Sequence, residues 1–312
     1  MRLPSVNDVH QDAILTNLSI RYSNELYIAQ QVLPKVTVGK ASDKFYVFNQ
    51  SDFFRNEAGR RAAGTEGPVG GYRLSTDTYA TDQRSMAVYV ADEERTNADA
   101  GLDLEVQAVE YCADKVLLGL EAEVASVIFT STNYATNHSE TLTGTNQWSD
   151  ATSTPISAID TAGSLISSKI GRKPNLLVLG EDAFLQLKNH PDIAEVLKYT
   201  QAAVITEQLL ASVLQVDRVL VGRAIYDSAG EGDTDVYARV WTADSAALLY
   251  VAPSAGLRTL SYGYSFVWQG FDMVTERWRE PRLRSDGFRT IHQWDTKVTC
   301  NTAGYLWSDV KA

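Results

Sequence analysis

The longest periodic segment of the chain is 97-NADAGLDLEVQAVEYCADKVLLGLEAEVASVIF-129. Apolar residues recur in it at steps of three and four, the spacing that places side chains on one face of an α-helix. They are Leu102, Val106, Val109, Ala113, Val116, Leu120, Val124 and Val127. About 30 helical residues, each rising about 1.5 Å, give a length of roughly 45 Å, which exceeds that of a typical globular helix. The segment therefore predicts a long strut along which other elements must pack.

The polar positions of this helix carry mostly acidic side chains. They are Asp103, Glu105, Glu110, Asp114, Glu121 and Glu123, against the basic residue Lys115. Polar residues between the apolar positions of a surface helix normally face water. We therefore expect the outward side of the helix to be strongly acidic.

Residues 1 to about 40 are polar with short apolar clusters, and Pro34 and Gly39 interrupt any regular element. Such a segment has too little apolar surface to fold alone. We expect it to form an arm that lies on a neighbouring surface.

A long hairpin is predicted between this arm and the helix. The segments 44-KFYVFNQ-50 and 85-SMAVYVA-91 are rich in aromatic and β-branched residues and are predicted to be strands. Between them, residues 55–81 contain glycine at positions 59, 64, 67, 70 and 71, a composition that cannot form its own core. Two strands that flank a glycine-rich tip indicate a projecting β-hairpin.

After the helix, residues 131–154 form a polar Ser/Thr/Asn-rich stretch that we interpret as the best internal boundary of the chain. A mixed α/β region is predicted to follow, with helices at 154–170, 181–187 and most of 193–214, and strands at 175–180, 218–222 and 236–241. From residue 246 onward, period-two and continuous apolar segments predict sheet.

Composition limits the classes of function. The chain has 312 residues, of which 44% are hydrophobic, enough for a substantial core in one or two domains. With 28 basic and 39 acidic residues its net charge is -11, so its average surface should repel nucleic acid and anionic lipid. A dedicated DNA-coating protein is therefore excluded.

The sequence gives no sign of secretion, membrane insertion or a disulfide framework. The amino terminus lacks the basic and apolar segments of a signal peptide, and no run approaches the roughly 20 apolar residues that span a bilayer. Cys112 and Cys300 lack the paired spacing of a zinc site or redox motif, and we interpret them as reduced, buried thiols. We expect a cytoplasmic protein with no membrane partner.

No catalytic, cofactor-binding or metal site is predicted. The histidines, His10, His138, His190 and His292, do not lie within a helical turn of one another. His190 precedes Pro191 and is better explained as part of a helix-ending turn. The segment GTEGPVGG lacks the lysine of a phosphate-binding loop, and Ser254 lacks the glycine two residues before it that a nucleophile elbow requires. The carboxylates at 92–94 suit a solvated helix start.

The arginines are the candidate interaction residues. Arg277 and Arg279 share one face of a predicted strand, as do Arg282 and Arg284, and they could pair with acidic groups of another subunit or contact nucleic acid. We favour subunit pairing, because the guanidinium fork suits carboxylates at interfaces. A second set on the hairpin, Arg55, Arg60 and Arg61, is expected to dock on an acidic neighbour.

The order of elements resembles the shell protein shared by tailed phages, encapsulins and the herpesvirus capsid floor. The resemblance lies in 173-KPNLLVLGEDAFLQLKNHPDIAEVLKYT-200, 204-VITEQLLASVLQVDRVLVGRAIYDSAGEG-232 and 240-VWTADSAALLYV-251. The closing segments GYSFVWQGFDMV and IHQWDTKVTCNTAGYLWSDV are also similar. The resemblance covers nearly the whole chain, although no single residue is diagnostic.

The resemblance implies an α+β tailed-phage major capsid fold. By position it implies an N-terminal arm at 1–40, an extended β-hairpin loop at 41–92, a peripheral domain at 93–190 and 251–312 with its spine helix at 97–129, and an axial domain at 191–250. Some family members carry a removable scaffolding segment, but here the arm begins almost at Met1, which implies a separate scaffold or none. The hairpin tip has no lysine, since Lys40 and Lys44 precede it, so crosslinking is not expected.

The implied function is that of a major capsid protein, not an enzyme. Many copies would assemble as hexamers and pentamers into an icosahedral head that encloses double-stranded DNA, touched only non-specifically. The implied partners are a portal and separate scaffold or decoration proteins, and the location is the virion after assembly in the bacterial cytoplasm. The alternatives are an encapsulin-like nanocompartment shell and, more remotely, a soluble α/β enzyme.

Overall fold

A computed structural model of the protein describes residues 27–48, 50–98, 103–198, 206–256 and 259–312. Residues 1–26 of the predicted arm, together with Leu102 of the predicted helical stripe and His10, lie outside these ranges. The described end of the arm packs on its own chain, because Ile28, Val32 and Leu33 are at most 1% exposed.

The described residues combine helices and strands, as the α+β class requires. Their α-helices are α1 (Ala29–Val32), α2 (Gln50–Phe54), α3 (Asp92–Asn97), α4 (Leu104–Ile128), α5 (Pro155–Ile170), α6 (Glu181–Asn189), α7 (Pro191–Leu197) and α8 (Glu207–Val213). Their strands are β1 (Lys35–Val38), β2 (Ser42–Phe48), β3 (Leu74–Ala80), β4 (Asp82–Ala91), β5 (Ser139–Thr141), β6 (Leu176–Gly180), β7 (Arg218–Gly222), β8 (Ile225–Asp227), β9 (Tyr237–Arg239), β10 (Ala246–Leu249), β11 (Gly263–Trp268), β12 (Val274–Glu280), β13 (Ser285–Val298) and β14 (Gly304–Ser308).

The first sheet is organised around β13, its longest strand. The strand order is β1-β11-β13-β12, and β4 also pairs with β13. All three neighbours of β13 run antiparallel to it: β4 pairs with Ser285–Trp294, β12 pairs with Ser285–Ile291, and β11 pairs with Trp294–Val298. Helix α4 packs across β13 and β4, where Ala108, Val90 and Phe288 form a small buried cluster.

The second sheet has the order β5-β14-β10-β6-β7. β6 (LLVLG) and β10 (AALL) are buried at every position, as expected for strands covered on both faces. Helices α5 and α6 and the strands β6 and β7 confirm the predicted α/β middle region. The segment predicted to be mostly helical at 193–214 contains α7 and α8, and residues 199–205 between them lie outside the described ranges.

This sheet does not follow the predicted domain limits. Its strands come from residues 139 to 308, and residues 191–250 contribute β7 and β10 to it in addition to the separate two-stranded sheet of β8 and β9. The assignment of 191–250 to an axial domain stays a prediction. The stretch 131–154 is not a boundary either, since Trp148 is 1% exposed, donates its N–H to the Val310 carbonyl at 2.8 Å and packs against Trp307.

The long helix is confirmed, and so is most of its predicted stripe, because Val116, Leu120 and Val124 are buried and Val109 and Val127 pack against the cores. Helix α4 has 25 residues, roughly 37 Å at about 1.5 Å per residue, and begins after Asp103, whose carboxylate accepts the N–H groups of Glu105 and Val106. Most of its buried positions advance in steps of four, and Glu121 and Ala125 are buried beside this series, which consists of Ala108, Cys112, Val116, Leu120, Val124 and Ile128. Val106 is half exposed instead. The small side chains at 108 and 112 allow the helix to approach the sheet closely there.

The hairpin exists, but its returning strand was predicted in the wrong place. β2 pairs with β3, so that Ser42 lies opposite Ala80 and Phe48 opposite Leu74. The segment 85–91 belongs to β4 and pairs with β13 in the first sheet. The returning strand lies within the range predicted as the glycine-rich tip, because the last glycine is at 71 and the alternating sequence LSTDTYA follows.

The remaining expectations are met in part. Cys112 is buried and Cys300 is only half-buried, and both are free thiols. Within the described residues, no helix is long and apolar enough to cross a membrane.

Candidate assembly surfaces

The root of the long hairpin is fixed to the first sheet by aromatic side chains. Tyr79 stacks on Phe266 of β11 with ring centroids 4.8 Å apart, and Phe45 lies 5.4 Å from the same ring. These side chains form a small core separate from the main one. The hairpin is therefore attached at its base by packing and not only by chain connectivity.

Hydrogen bonds reinforce the same root. The backbone N–H and the hydroxyl of Thr81 both donate to the Ala41 carbonyl at 2.8 Å, which closes the base of the hairpin. The Gln293 amide donates to the Thr81 carbonyl at 2.9 Å, and the Ala80 N–H donates to the Asp295 carboxylate at 2.9 Å. One donor of β13, on Gln293, and one acceptor, on Asp295, thus hold the point where the hairpin leaves the sheet.

The rest of the hairpin, which we call the long-hairpin surface (residues 46–74), presents apolar side chains to solvent. They are Tyr46, Phe53, Phe54, Val69, Tyr72 and Leu74, each at least 48% exposed. Arg73 orders the tip, because its backbone N–H and guanidinium both bond the Asp52 carboxylate, at 2.8 and 3.0 Å. These bonds lower the pKa of Asp52 to about 2.

The hairpin arginines are placed on this surface as predicted. Arg55 pairs with Glu57 at 3.1 Å. Arg60 and Arg61 are exposed, and within the described residues neither makes an ion pair. Their docking on an acidic neighbour stays a prediction.

A second, shorter hairpin shows the same property. β8 and β9 pair over three residues, and residues 225–239 expose Ile225, Tyr226, Val236 and Tyr237. The carboxylate of Asp227 accepts the N–H groups of Ala229 and Val236, both at 2.9 Å, which fixes the intervening turn and lowers the pKa of Asp227. Of the sixteen large apolar side chains that the described residues expose, ten lie on these two hairpins.

Three of the four predicted interface arginines in the closing sheet make ion pairs inside their own chain, and two of them, Arg277 and Arg279, share a carboxylate. Arg277 donates to Glu105 at 3.0 Å and to Asp286 at 2.7 Å. Arg279 donates to Asp286 at 3.2 Å and also pairs with Asp92. Arg95 completes the group at 2.6 Å from Asp286. The Arg277, Arg95 and Arg279 side chains hold the pKa of Asp286 far below its usual range.

This arrangement could have been anticipated from register. Arg279 and Asp286 lie directly opposite each other across the β12–β13 turn, where oppositely charged residues stabilise a hairpin. The arginines therefore join β12, β13 and the starts of α3 and α4. Whether they also contact another subunit stays a prediction.

Arg282 and Arg284 lie instead on the exposed turn between β12 and β13. Leu283 between them is 59% exposed, and Arg284 approaches Glu93 at 3.7 Å with a backbone φ of 47°. Arg282 makes no ion pair within the part of the chain that the structure describes. Arg282 therefore remains available for a partner, and the Arg284 side chain is 76% exposed although it pairs with Glu93.

Replacing Asp286 by Asn should lower the thermal unfolding midpoint of unassembled subunits, because three guanidiniums lose the carboxylate that they share. Circular dichroism at neutral pH measures the change. Asp160→Asn, on the exposed side of α5, is the matched control and should leave the midpoint unchanged. Equal midpoints for the two variants would contradict the joining role of Asp286.

The expectation of an acidic outer side on the long helix is wrong. Most of its carboxylates anchor other elements by hydrogen bonds: Asp114 accepts from the Tyr27 hydroxyl, Glu105 from Arg277, Glu123 from Trp294 and Thr296, and Glu121 from Ile28, Ala29 and Trp241. Glu121 is fully buried. Sequence periodicity missed these roles, because each partner is distant in sequence.

Two of the described histidines, His138 and His190, have structural partners. His190 ends α6 and precedes α7, where its Nδ1 accepts the Asp192 N–H at 3.1 Å, which confirms the predicted turn. His138 is buried beside the Gly304 carbonyl, 2.9 Å from Nδ1. Among the described residues, no three His, Cys, Asp or Glu side chains are grouped so that they could hold a metal ion.

Comparison with known proteins gives consistent matches. The family model described as phage major capsid protein E matches residues 72–259. The major capsid protein of Burkholderia phage BcepMu is 29% identical over 304 residues, which cover 96% of each chain. A phage-related protein from Bordetella bronchiseptica superposes with a TM-score of 0.74 at 24% identity, covering 93% of this chain and 94% of that one. The capsid structure of cyanophage P-SCSP1u superposes with a TM-score of 0.65 at 10% identity, covering 98% of this chain and 95% of that one.

Proposed function

The chain belongs to the phage major capsid protein E family and is a shell-forming capsid protein of the virion, and from that premise we propose that its copies assemble as pentamers and hexamers into an icosahedral head around double-stranded phage DNA. The observation that carries this proposal is the concentration of exposed apolar side chains on two hairpins. Such side chains are costly to leave in water and normally mark contact surfaces.

A shell subunit must bind several neighbours at once. Many weak contacts that close into a symmetric shell give high total stability, since each new contact is effectively intramolecular. The two hairpins supply separate apolar patches, and the fixed root of the long one keeps its patch in a defined direction. The proposed role is structural and involves no catalytic step.

The long-hairpin surface is proposed to dock on a neighbouring copy through both apolar and charged contacts. Its aromatic side chains supply buried area, and Arg55, Arg60 and Arg61 supply positive charge. A chain of net charge -11 offers acidic surface for these arginines. Charge pairs of this kind steer association and fix register more than they add affinity.

Reversing the charge of two hairpin residues, Arg60→Glu with Arg61→Glu, should weaken each contact between copies about tenfold, an effect of about 1.4 kcal/mol per contact, and should lower the yield of shells by more than that. The two glutamates would repel the acidic surface of the neighbouring copy, which the two arginines attract. Sedimentation velocity of the purified full-length chain measures the assembled fraction. The double variant with lysine at both positions keeps the charge and should assemble nearly normally. Equal yields from the glutamate and lysine variants would contradict the docking role.

The finer parts of the proposal concern partners and location. We propose a portal, separate scaffold or decoration proteins, non-specific contact with packaged DNA, and assembly in the host cytoplasm. Electron microscopy of purified full-length protein tests shell formation directly, and the ultraviolet absorbance spectrum of the particles shows whether they contain nucleic acid. A small monomer at all concentrations would overturn the proposed function.

A further inference from the structure

His292 lies at the middle of β13 and is buried without a full set of partners. Its ring is 1% exposed and packs against Trp294, with ring centroids 4.9 Å apart. Nδ1 accepts the backbone N–H of Met273 at 3.3 Å, so the neutral ring carries its proton on Nε2. Within the described residues, Nε2 has no hydrogen-bond partner. A buried donor without an acceptor is uncommon and is found at sites that can rearrange.

A carboxylate is positioned to receive a second proton from this ring. Asp272 Oδ1 lies 3.8 Å from Nδ1, just beyond hydrogen-bonding distance. The same carboxylate is paired with Lys35, the first residue of β1. Met273, between Asp272 and the start of β12, has a backbone φ of 54°, a conformation that a non-glycine residue adopts only when surrounding contacts hold it.

We propose that His292 and Asp272 form a proton-operated switch. A proton on Nδ1 replaces the hydrogen bond from Met273 by an ion pair with Asp272, and the charged ring then competes with Lys35 for that carboxylate. β1 and β12 are the two ends of the four-strand path in the first sheet, so the switch loosens both ends together. This inference concerns the subunit itself and does not depend on the proposed shell.

The charged groups around the ring decide the direction of the effect. Burial lowers the pKa of His292, Asp272 and a backbone bond to Phe271 raise it, and Lys35 lowers it. Arg84 lies opposite His292 on β4 and is paired with Glu123 of α4 at 2.6 Å, which limits its own repulsion of the ring.

A folded-state pKa below the ordinary value means that the unfolded chain binds the proton more tightly. The contribution of neutral His292 to stability is therefore complete above about pH 6.5, and it is lost as the pH falls below that value. The switch should operate in mild acid.

Hydrogen–deuterium exchange of the full-length chain, corrected for the intrinsic effect of pH, tests the switch. Between about pH 8 and about pH 5.5, the amides of Met273 and of β1 should lose protection about tenfold, while those of β6 in the second sheet should not. His292→Gln cannot take up the proton and should abolish this difference.

Asp272→Asn provides an independent test if the glutamine variant folds poorly. Without the carboxylate the charged ring has no counter-ion, so the loss of protection should begin at a lower pH than in the wild type. The inference is overturned if the wild type shows no pH-dependent loss at Met273, or if both variants lose protection at the same pH as the wild type.

Discussion

A chain that lacks residues 55–72 is expected to fold into stable subunits and to form no closed shells. Every residue of this segment is outside the core, and all of them are exposed except Gly67, which is half-buried. The root is untouched, because Tyr79, Phe45 and Thr81 keep their contacts. The deletion removes Val69, Tyr72 and the three hairpin arginines.

The expected effect is nearly complete because a shell repeats the lost contact at every subunit. Circular dichroism and size-exclusion chromatography would show a folded, unassembled protein, and electron microscopy would show no particles. A length-matched Gly/Ser replacement of 55–72 keeps the length of the hairpin but removes its side chains. It therefore separates the contribution of hairpin length to assembly from that of the side chains. Normal particles from the deletion would contradict the role of the long-hairpin surface.

Replacing Glu121 by Ala is expected to produce the largest loss of subunit stability, about 3–5 kcal/mol, which is a large part of the 5–15 kcal/mol typical of a domain. Glu121 Oε1 accepts the Ile28 N–H at 3.0 Å and the Trp241 indole N–H at 2.6 Å, and Oε2 accepts the Ala29 N–H at 2.8 Å. The substitution leaves all three buried donors without their acceptor. Urea unfolding of unassembled subunits measures the loss.

The control for this variant is Gln107→Ala on the exposed side of the same helix, which should change the free energy of unfolding by less than about 0.5 kcal/mol. Burial raises the pKa of Glu121, so the folded chain holds its proton more tightly than the unfolded chain. The contribution of the carboxyl group should therefore decline as the pH rises through its folded-state pKa. A loss for Glu121→Ala no greater than that of Gln107→Ala would contradict the anchoring role.

Local sequence signals were sufficient for most elements. The apolar run LLVLG predicted a buried strand, and the helix predicted at 154–170 is α5. The length of α4 also followed from its periodicity. These signals succeed because hydrogen bonding within a helix, and burial of a continuous apolar strand, depend on neighbouring residues in the chain.

The resemblance to phage capsid proteins supplied the family, which the match over residues 72–259 confirms. Composition and periodicity alone indicated only an arm, a hairpin and a long helix in need of partners. The position of β3 was missed, since period-two alternation inside a glycine-rich segment was given less weight than the stronger apolar pattern of 85–91.

The sequence by itself therefore determined the kinds of elements, their order and the absence of a recognisable catalytic motif. Only the tertiary structure decided which polar side chains are buried and what they hold. Glu121 is separated from Ile28 by 93 residues and from Trp241 by 120. Arg277 is separated from Glu105 by 172. A carboxylate has the same local pattern whether it faces water or distant donors, and only the folded chain brings those donors within hydrogen-bonding distance.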